Sequence, residues 1–374
     1  MRISFLIRSL ERGGSERQLI ELARGLSTRG HAVSVLVFYG GGVLEEELVK
    51  SHISVIDLKK KSRWDIIGFF WRLLKNIKKE RPHILHSYLG TENTVAVLLK
   101  IFLPGLKIVW GIRSAGMDLN AYDWLSRLIN KIETRLSRYA DLIICNSQKG
   151  QEHIISYGFP AAKIRVINNG IDTKRFIPVP EEGKILRKQW NISNDQLLVG
   201  IVARLDPMKD HITFLRAAQI VLQKHKDVFF VSIGDDPLGK KAELLHRCHA
   251  LGISDQVIWI DGLDRIEGAY SAIDVLVSSS CSEGFSNVIA EAMACGKPCV
   301  VTDVGDSRLI VGQTGIVVPP RNPHALAEAC SKMIQKINEQ DNLLITENCR
   351  ERIEQYFSVE LMVKNTEEAL MDLW

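Results

Sequence analysis

The chain alternates between short apolar runs that end in small or polar loops and stretches whose apolar residues recur at helical spacing. Residues 2–7, RISFLI, predict a strand. The loop from Arg8 to Ser15 carries Gly13 and Gly14, and helical positions follow at Leu19, Leu22, Ala23 and Leu26. Gly30 stops that helix and AVSVLVF opens the next strand, which completes a βαβ unit. The alternation continues through ISVID, HILHS, KIVWGI, DLIIC and KIRVIN, so a parallel, doubly wound α/β sheet is expected.

From about Ile171 the pattern lapses, and Pro178, Pro180, Glu181, Glu182 and Gly183 read as a polar, proline-bearing connector. A second series then runs through LLVGIVA, VFFVSI, QVIWI, DVLVSS, PCVVTD and GIVVPP. The expected organisation is therefore a first Rossmann-like domain over 1–172, a linker over 173–196 and a second Rossmann-like domain over 197–358. A helix over 359–374, with Leu361, Met362, Leu370 and Trp374, is expected to return to the first domain. Parallel sheets bind ligands beyond the carboxyl ends of their strands, so two such sheets facing across a cleft would hold substrate there.

A length of 374 residues agrees with two domains, and 46% hydrophobic with 25% charged residues is an ordinary globular composition. A net charge of +4 is too slight to argue for nucleic acid. The apolar core of the first residues, ISFLI, is too short for a signal peptide, and no run approaches a membrane span, so a cytoplasmic location is expected. Seven cysteines without a paired framework fit reduced thiols. His246, Cys248 and His249 lie close together, but no further cluster completes a zinc site, and no metal is expected.

The most informative stretch is VLVSSSCSEGFSNVIAEAMACGKPCVVTDVGD, residues 275–306. It predicts a buried strand, a tight loop and a helix that begins at Ser286 or Asn287 as N-cap and stops at Gly296 and Pro298. Free N–H groups at such a start favour an anion by about 0.3–1 kcal/mol, which suits a phosphate. Glu283 and Glu291 bracket this start and offer acceptors for sugar hydroxyls; taken alone, they fit equally a surface acid and a solvated helix residue.

Four further features bear on chemistry. Arg204 and Lys209, in ARLDPMKDH, follow the second domain's first strand; a fork of donors beside a mobile point charge would neutralise a diphosphate leaving group, or the two are solvated surface residues. Gly13 and Gly14 would let backbone approach a phosphate or sugar, or form a plain turn; the dinucleotide G-x-G-x-x-G spacing is absent. Arg113, in VWGIRSAGMD, would meet an anionic substrate or pair with Asp118, while Asp172, in NNGIDTKRF, reads as hinge structure. Between Lys59 and Arg81, nine basic residues are interleaved with Ile66, Ile67, Phe69, Phe70, Trp71, Leu73, Leu74 and Ile77. That segment reads either as an anionic-membrane contact or as a core-packed helix with a solvated basic face.

Taken together, these residues resemble the retaining glycosyltransferases of family 4, which have the two-Rossmann-domain GT-B fold. The resemblance covers nearly the whole chain. It rests chiefly on EGFSNVIAE followed by AMACGKPCVVTDVGD, with GGSER, NNGID and ARLDPMKD in the family's order. By that resemblance Arg204 and Lys209 would bind the donor diphosphate, Glu291 the nucleoside ribose and Glu283 the donor sugar. Backbone around Gly284, Phe285, Ser286 and Asn287 would complete the pocket, with Gly13 and Gly14 on the first domain. The chain departs from the pattern at Arg113, where many members place a histidine, so that histidine's role is not transferred.

The implied reaction moves a hexose or N-acetylhexosamine from a nucleotide-diphosphate sugar, UDP before GDP, to a lipid-linked or polysaccharide acceptor in bacterial surface glycan synthesis. It needs no cofactor, metal or side-chain nucleophile. A nucleotide-sugar epimerase and a non-catalytic nucleotide or carbohydrate binder on the same scaffold are the alternatives. An epimerase would convert the donor alone, and a binder would hold it without turnover.

Overall fold

The computed structural model describes residues 1–62, 64–113, 131–263, 265–339 and 342–373. Among them, each apolar run becomes a strand, and the strands form two all-parallel sheets. The first contains β1 (Arg2–Ile7), β2 (Ala32–Val37), β3 (Ser54–Asp57), β4 (Ile84–Tyr88), β5 (Lys107–Ile112), β6 (Leu142–Cys145) and β7 (Ile164–Val166), in the order β3-β2-β1-β4-β5-β6-β7. The second contains β8 (Leu197–Val202), β9 (Val228–Ile233), β10 (Val257–Ile260), β11 (Val275–Ser278), β12 (Cys299–Thr302) and β13 (Ile316–Val318), in the order β10-β9-β8-β11-β12-β13. In each sheet the chain reverses direction of growth once, between β1 and β4 and between β8 and β11. Loops on either side of such a switch point diverge and leave a crevice at the carboxyl ends of the strands.

Two compact units follow, Met1–Gly170 with Val359–Trp374, and Ile171–Ser358. In the first unit, one face of the sheet is covered by α1 (Gly14–Thr28), whose Leu19, Leu22 and Leu26 pack with Met362 and Leu370 of the terminal helix Val359–Met371. The other face is covered by α3 (Ile67–Glu80) and α4 (Gly90–Leu98), with α2 (Glu45–Lys50) between β2 and β3. Phe69, Leu73, Leu74 and Ile77 of α3 are buried, which makes the basic aromatic segment a core-packed helix along one side. Trp64, Ile66, Ile67 and Trp71 remain exposed. Arg63 and Trp374 lie outside the described residues.

The stretch 173–196, read as linker, contains the helix Pro180–Gln189 and belongs to the second unit. Pro180 at its start with Glu181 and Glu182 in its first turn suits a helix N-terminus. Its polar composition hides a buried Arg187, which donates to the carbonyls of Ala272 and Gln196 and to Asp274 at 2.7, 2.8 and 2.5 Å. A buried arginine with all these acceptors does the anchoring that apolar residues do elsewhere. No helix among the described residues is long and apolar enough to cross a membrane.

Candidate active site

The loops beyond β8 and β11 are neighbours because their strands pair, Val275 beside Val199 and Leu276 beside Gly200. Beyond β8 the chain makes a turn at Pro207–Lys209, capped by the Asp206 carboxylate, which accepts from the Met208 amide at 2.9 Å. Asp210 (φ +48°) then caps the helix His211–Lys224, accepting from the Thr213 amide at 3.2 Å and hydroxyl at 2.6 Å. The Ser279 hydroxyl donates to the carbonyls of Lys209 and Asp210 at 2.8 and 3.0 Å, and the Cys281 amide donates to Met208 at 2.8 Å. The two loops are thereby stitched into one surface.

On that surface the Lys209 ammonium donates to Glu283 at 2.5 Å, and the Ser280 hydroxyl donates to the same carboxylate oxygen at 2.8 Å. Two residues expected to serve separate duties, diphosphate and sugar, form an ion pair. Both are largely screened from solvent, 21% and 12% exposed, where such a pair is stronger than on an open surface. Arg204 is exposed on the same loop. Just behind it, a Cβ on Gly234 would lie 2.1 Å from the Ala203 carbonyl oxygen, so a glycine is required for the loops after β8 and β9 to approach this closely.

The helix Asn287–Ala294 starts where the sequence placed it, with Ser286 in the N-cap position, but the Ser286 side chain does not cap it. Gly284 and Ser286 are buried, and the Phe285 ring is turned into the core against Phe357, centroids 5.4 Å apart, so Phe285 can offer only backbone to a ligand. The Asp306 amide donates to Gly284 at 2.9 Å. Gly305 (φ +53°) comes so close that a Cβ there would sit 2.2 Å from the Gly284 carbonyl oxygen. The loop after β12 is therefore the support of the Glu283–Ser286 turn.

Glu291, a half-buried residue inside the helix, accepts from the Tyr270 hydroxyl at 2.7 Å. Burial, then the Glu291 charge, pushes the Tyr270 phenol well above its ordinary value, so it stays a donor. His211 is pushed down to about 4 by burial and by Lys209, and is neutral at physiological pH. Tyr270, Ser280, Ser279 and Gly305 have no part in the sequence-level assignment. Of these, Ser279 and Ser280 carry a visible signal, as small polar residues immediately beyond a buried strand.

Gly13 and Gly14 lie at the start of α1 in the first unit, where Gly13 is the N-cap and a Cβ on it would meet the Glu16 carboxylate at 2.1 Å. Arg113, also in the first unit, donates to the Tyr88 hydroxyl at 2.6 Å and to Asn169 at 3.0 Å, and its guanidinium lies 4.4 Å from the Tyr88 ring centroid. Asp118, the pairing partner considered for it, lies outside the described residues. Asp172 accepts from the amides of Lys174 and Arg175 and shapes a turn. No group of three or more metal-ligating side chains occurs among the described residues.

The model of glycosyltransferase family 4 matches residues 12–175, and that of glycosyl transferases group 1 matches residues 196–336. A D-inositol 3-phosphate glycosyltransferase of Catenulispora acidiphila is 26% identical, over 86% of this chain and 82% of its own. The UDP-Gal:alpha-D-GlcNAc-diphosphoundecaprenol alpha-1,3-galactosyltransferase of Escherichia coli is 24% identical, over 87% and 80%. Among solved structures, Anabaena Alr3699/HepE in complex with UDP and glucose superposes with a TM-score of 0.86 at 25% identity, over 99% of both chains.

Proposed function

The chain belongs to glycosyltransferase family 4, with the GT-B arrangement of two Rossmann-like sheets, and from that premise we propose a retaining, metal-independent transfer of a hexose or N-acetylhexosamine from a UDP-sugar to a lipid-linked or polysaccharide acceptor. The observation that carries the reading is the stitched surface at the switch point of the second sheet. There Lys209, held by Glu283, and the exposed Arg204 lie on the loop joined through Ser279 and Cys281 to the one that starts the helix Asn287–Ala294.

In this reading the diphosphate lies against Arg204, Lys209 and the amides of Gly284–Asn287. Glu291, oriented by Tyr270, holds the ribose hydroxyls, and Glu283 meets the donor sugar. The bond from the sugar's C1 to the β-phosphate oxygen breaks, and its electron pair stays on the diphosphate. The acceptor hydroxyl oxygen bonds to C1 on the same face, and its proton passes to the departing phosphate oxygen. Positive charge fixed beforehand where negative charge accumulates lowers the barrier without reorganisation. The Lys209–Glu283 pair keeps the ammonium in place before the donor arrives. The exposed Trp64, Ile66 and Ile67 beside Lys59, Lys60 and Lys61 would rest on an anionic membrane surface.

The reading is tested by titrating the protein with UDP-, GDP- and ADP-sugars and following thermal stabilisation, then product formation with and without acceptor. UDP-sugar binding with transfer only in the presence of acceptor is expected. Conversion of the donor alone would favour the epimerase, and failure of every nucleotide sugar to bind the folded protein would refute the assignment.

A further inference from the structure

The first sheet has its own switch point, between β1 and β4, and a cavity of about 670 Å³ opens beside it. Every lining residue lies between Arg8 and Phe102, within the first unit. The volume is that of a small-molecule site. One wall is the outer side of α3, and another comes from α4 and the turn after it. Phe70, Trp71 and Phe102 pack edge against one another, with centroids 5.7–6.4 Å apart. Ile67 and Ile101 leave 75% and 74% of their surface in solvent, and Trp71 54%. Apolar side chains this exposed and this clustered mark a binding surface on a globular unit.

The end of the cavity nearest the sheet is polar. Arg8 follows β1 and lies over the Tyr39 ring at 5.9 Å, and the Lys60 ammonium, which donates to the carbonyls of Ser62 and Asp65 at 2.7 and 3.2 Å, lies 5.1 Å from the Phe69 ring centroid. The Thr94 hydroxyl is buried and has no hydrogen-bond partner. Leu89, which links β4 to α4, has φ +73°, a conformation that is strained for a bulky residue and recurs at ligand sites. Glu92 at this end is held up to about 7 by burial, so near neutrality its carboxyl is partly protonated and able to donate to an oxyanion. Cations, a free hydroxyl and a protonatable acid at one end, with an aromatic and aliphatic trough at the other, match a ligand with an anionic head and a hydrocarbon tail.

We propose that this groove binds the proximal hydrocarbon chain of a lipid-phosphate acceptor, its tail along Ile67, Phe70, Trp71, Ile101 and Phe102 and its phosphate at Arg8, Lys60 and Thr94. The proposal rests on the transferase reading above, since only an acceptor of that kind gives the groove a role in the reaction. It assigns lipid recognition to a built pocket rather than to contact with a membrane plane alone.

The test uses the full chain and farnesyl phosphate as probe, following Trp fluorescence in the absence of vesicles, with inorganic phosphate and phosphatidylglycerol vesicles as separate arms. Saturable binding of farnesyl phosphate is expected, weakened by about tenfold or more in the double variant Ile67→Glu/Ile101→Glu and in Arg8→Ala, with little response to inorganic phosphate. Ile67 and Ile101 are so exposed that the double variant should keep its fold, which an unchanged circular-dichroism spectrum and melting profile would verify. Equal farnesyl phosphate affinity in the double variant overturns the proposal. Vesicle binding without farnesyl phosphate binding overturns it in favour of a membrane-facing patch, and concentration-dependent dimerisation lost in the variant, again without probe binding, overturns it in favour of self-association. Should the parent bind farnesyl phosphate but no nucleotide sugar, the transferase reading falls and the amphiphile groove stands.

Discussion

At the carboxyl ends of β8 and β11 the charged side chains are paired within the protein, Lys209 with Glu283 and Glu291 with Tyr270, and Ser279 holds two carbonyls, while His211 Nε2 is buried without a partner. At the corresponding ends of β1 and β4 the finish is different. Thr94 Oγ1 is buried without a hydrogen-bond partner, and much of the groove beside it is apolar. The strand order around the two switch points is the same, so topology does not account for the contrast. A buried donor or acceptor left unmatched costs about 1–3 kcal/mol. A site that holds its charges ready suits a ligand whose charges are always alike, as in a diphosphate. A site whose polar groups stand at one end of an apolar trough suits a ligand that brings polar atoms at one end only.

The strongest way to break this contrast is to remove the prepared charge. Lys209→Ala should lose about 2–4 kcal/mol of transition-state stabilisation, the cost of removing a preorganised donor, and Arg204→Ala a comparable amount. The measurement is kcat/KM with a UDP-sugar and acceptor, beside donor affinity from calorimetry. In Lys209→Ala, Glu283 also loses its counterion, so Glu283→Gln should restore part of the donor affinity when added to it. Near-normal turnover of either single variant would remove that cation from the mechanism.

The second test concerns protons at the first switch point. Burial raises the Glu92 carboxyl to about 7, with Glu133 and Glu16 acting in the same direction and Arg8 against it. The folded protein therefore keeps a proton that the unfolded chain gives up near the ordinary carboxylate value. Its contribution to stability is intact below that value, declines as pH rises through about 7, and is flat beyond. His211 in the other unit has the opposite sign: lowered to about 4, it adds stability that is present above its ordinary value and is lost as pH falls toward 4. The total profile mixes the two, so the informative quantity is the difference between the native protein and Glu92→Gln. Between pH 4 and pH 8 that difference should move by about 2–3 kcal/mol in favour of the variant, read from urea midpoints. A difference independent of pH would mean that Glu92 is solvated.

How far sequence reaches depends on whether a residue's role is local. The strands were legible because each is a continuous apolar run, as in VLV of β11, and the start of the helix Asn287–Ala294 because its loop and stop signals are adjacent in the chain. The pairing of Lys209 with Glu283 spans 74 residues, and nothing in either segment alone points to the other. Tyr270 sits among glycine, alanine and isoleucine in IEGAYSAI, where a tyrosine reads as packing, yet its hydroxyl is aimed at Glu291. The helix Pro180–Gln189 was hidden by its polarity, since Arg187 is anchored by hydrogen bonds rather than by an apolar face. The groove of the first unit draws its walls from segments that are about thirty residues apart, Ile67 and Ile101, and only the fold brings them to one cavity.

The smallest effect sharpens the contrast most, because it removes a single oxygen from the prepared site. Tyr270 is fully buried, and its ring packs against Phe176 with centroids 6.3 Å apart, so Tyr270→Phe keeps the packing and deletes only the hydroxyl that donates to Glu291. If Glu291 holds the ribose, freeing its carboxylate should weaken UDP binding by about 0.5–1.5 kcal/mol, roughly threefold to tenfold. The chemical step lies on the far side of the diphosphate from the ribose, so the single-turnover rate at saturating donor should hardly change. Glu291→Gln added to the Tyr270→Phe variant should then cost less than it does alone, because the two side chains act through one contact. Calorimetry with UDP and rapid-quench kinetics separate the two readouts. A slower chemical step at unchanged affinity would move Glu291 from the nucleoside to the reacting sugar, and additive losses would detach Tyr270 from it.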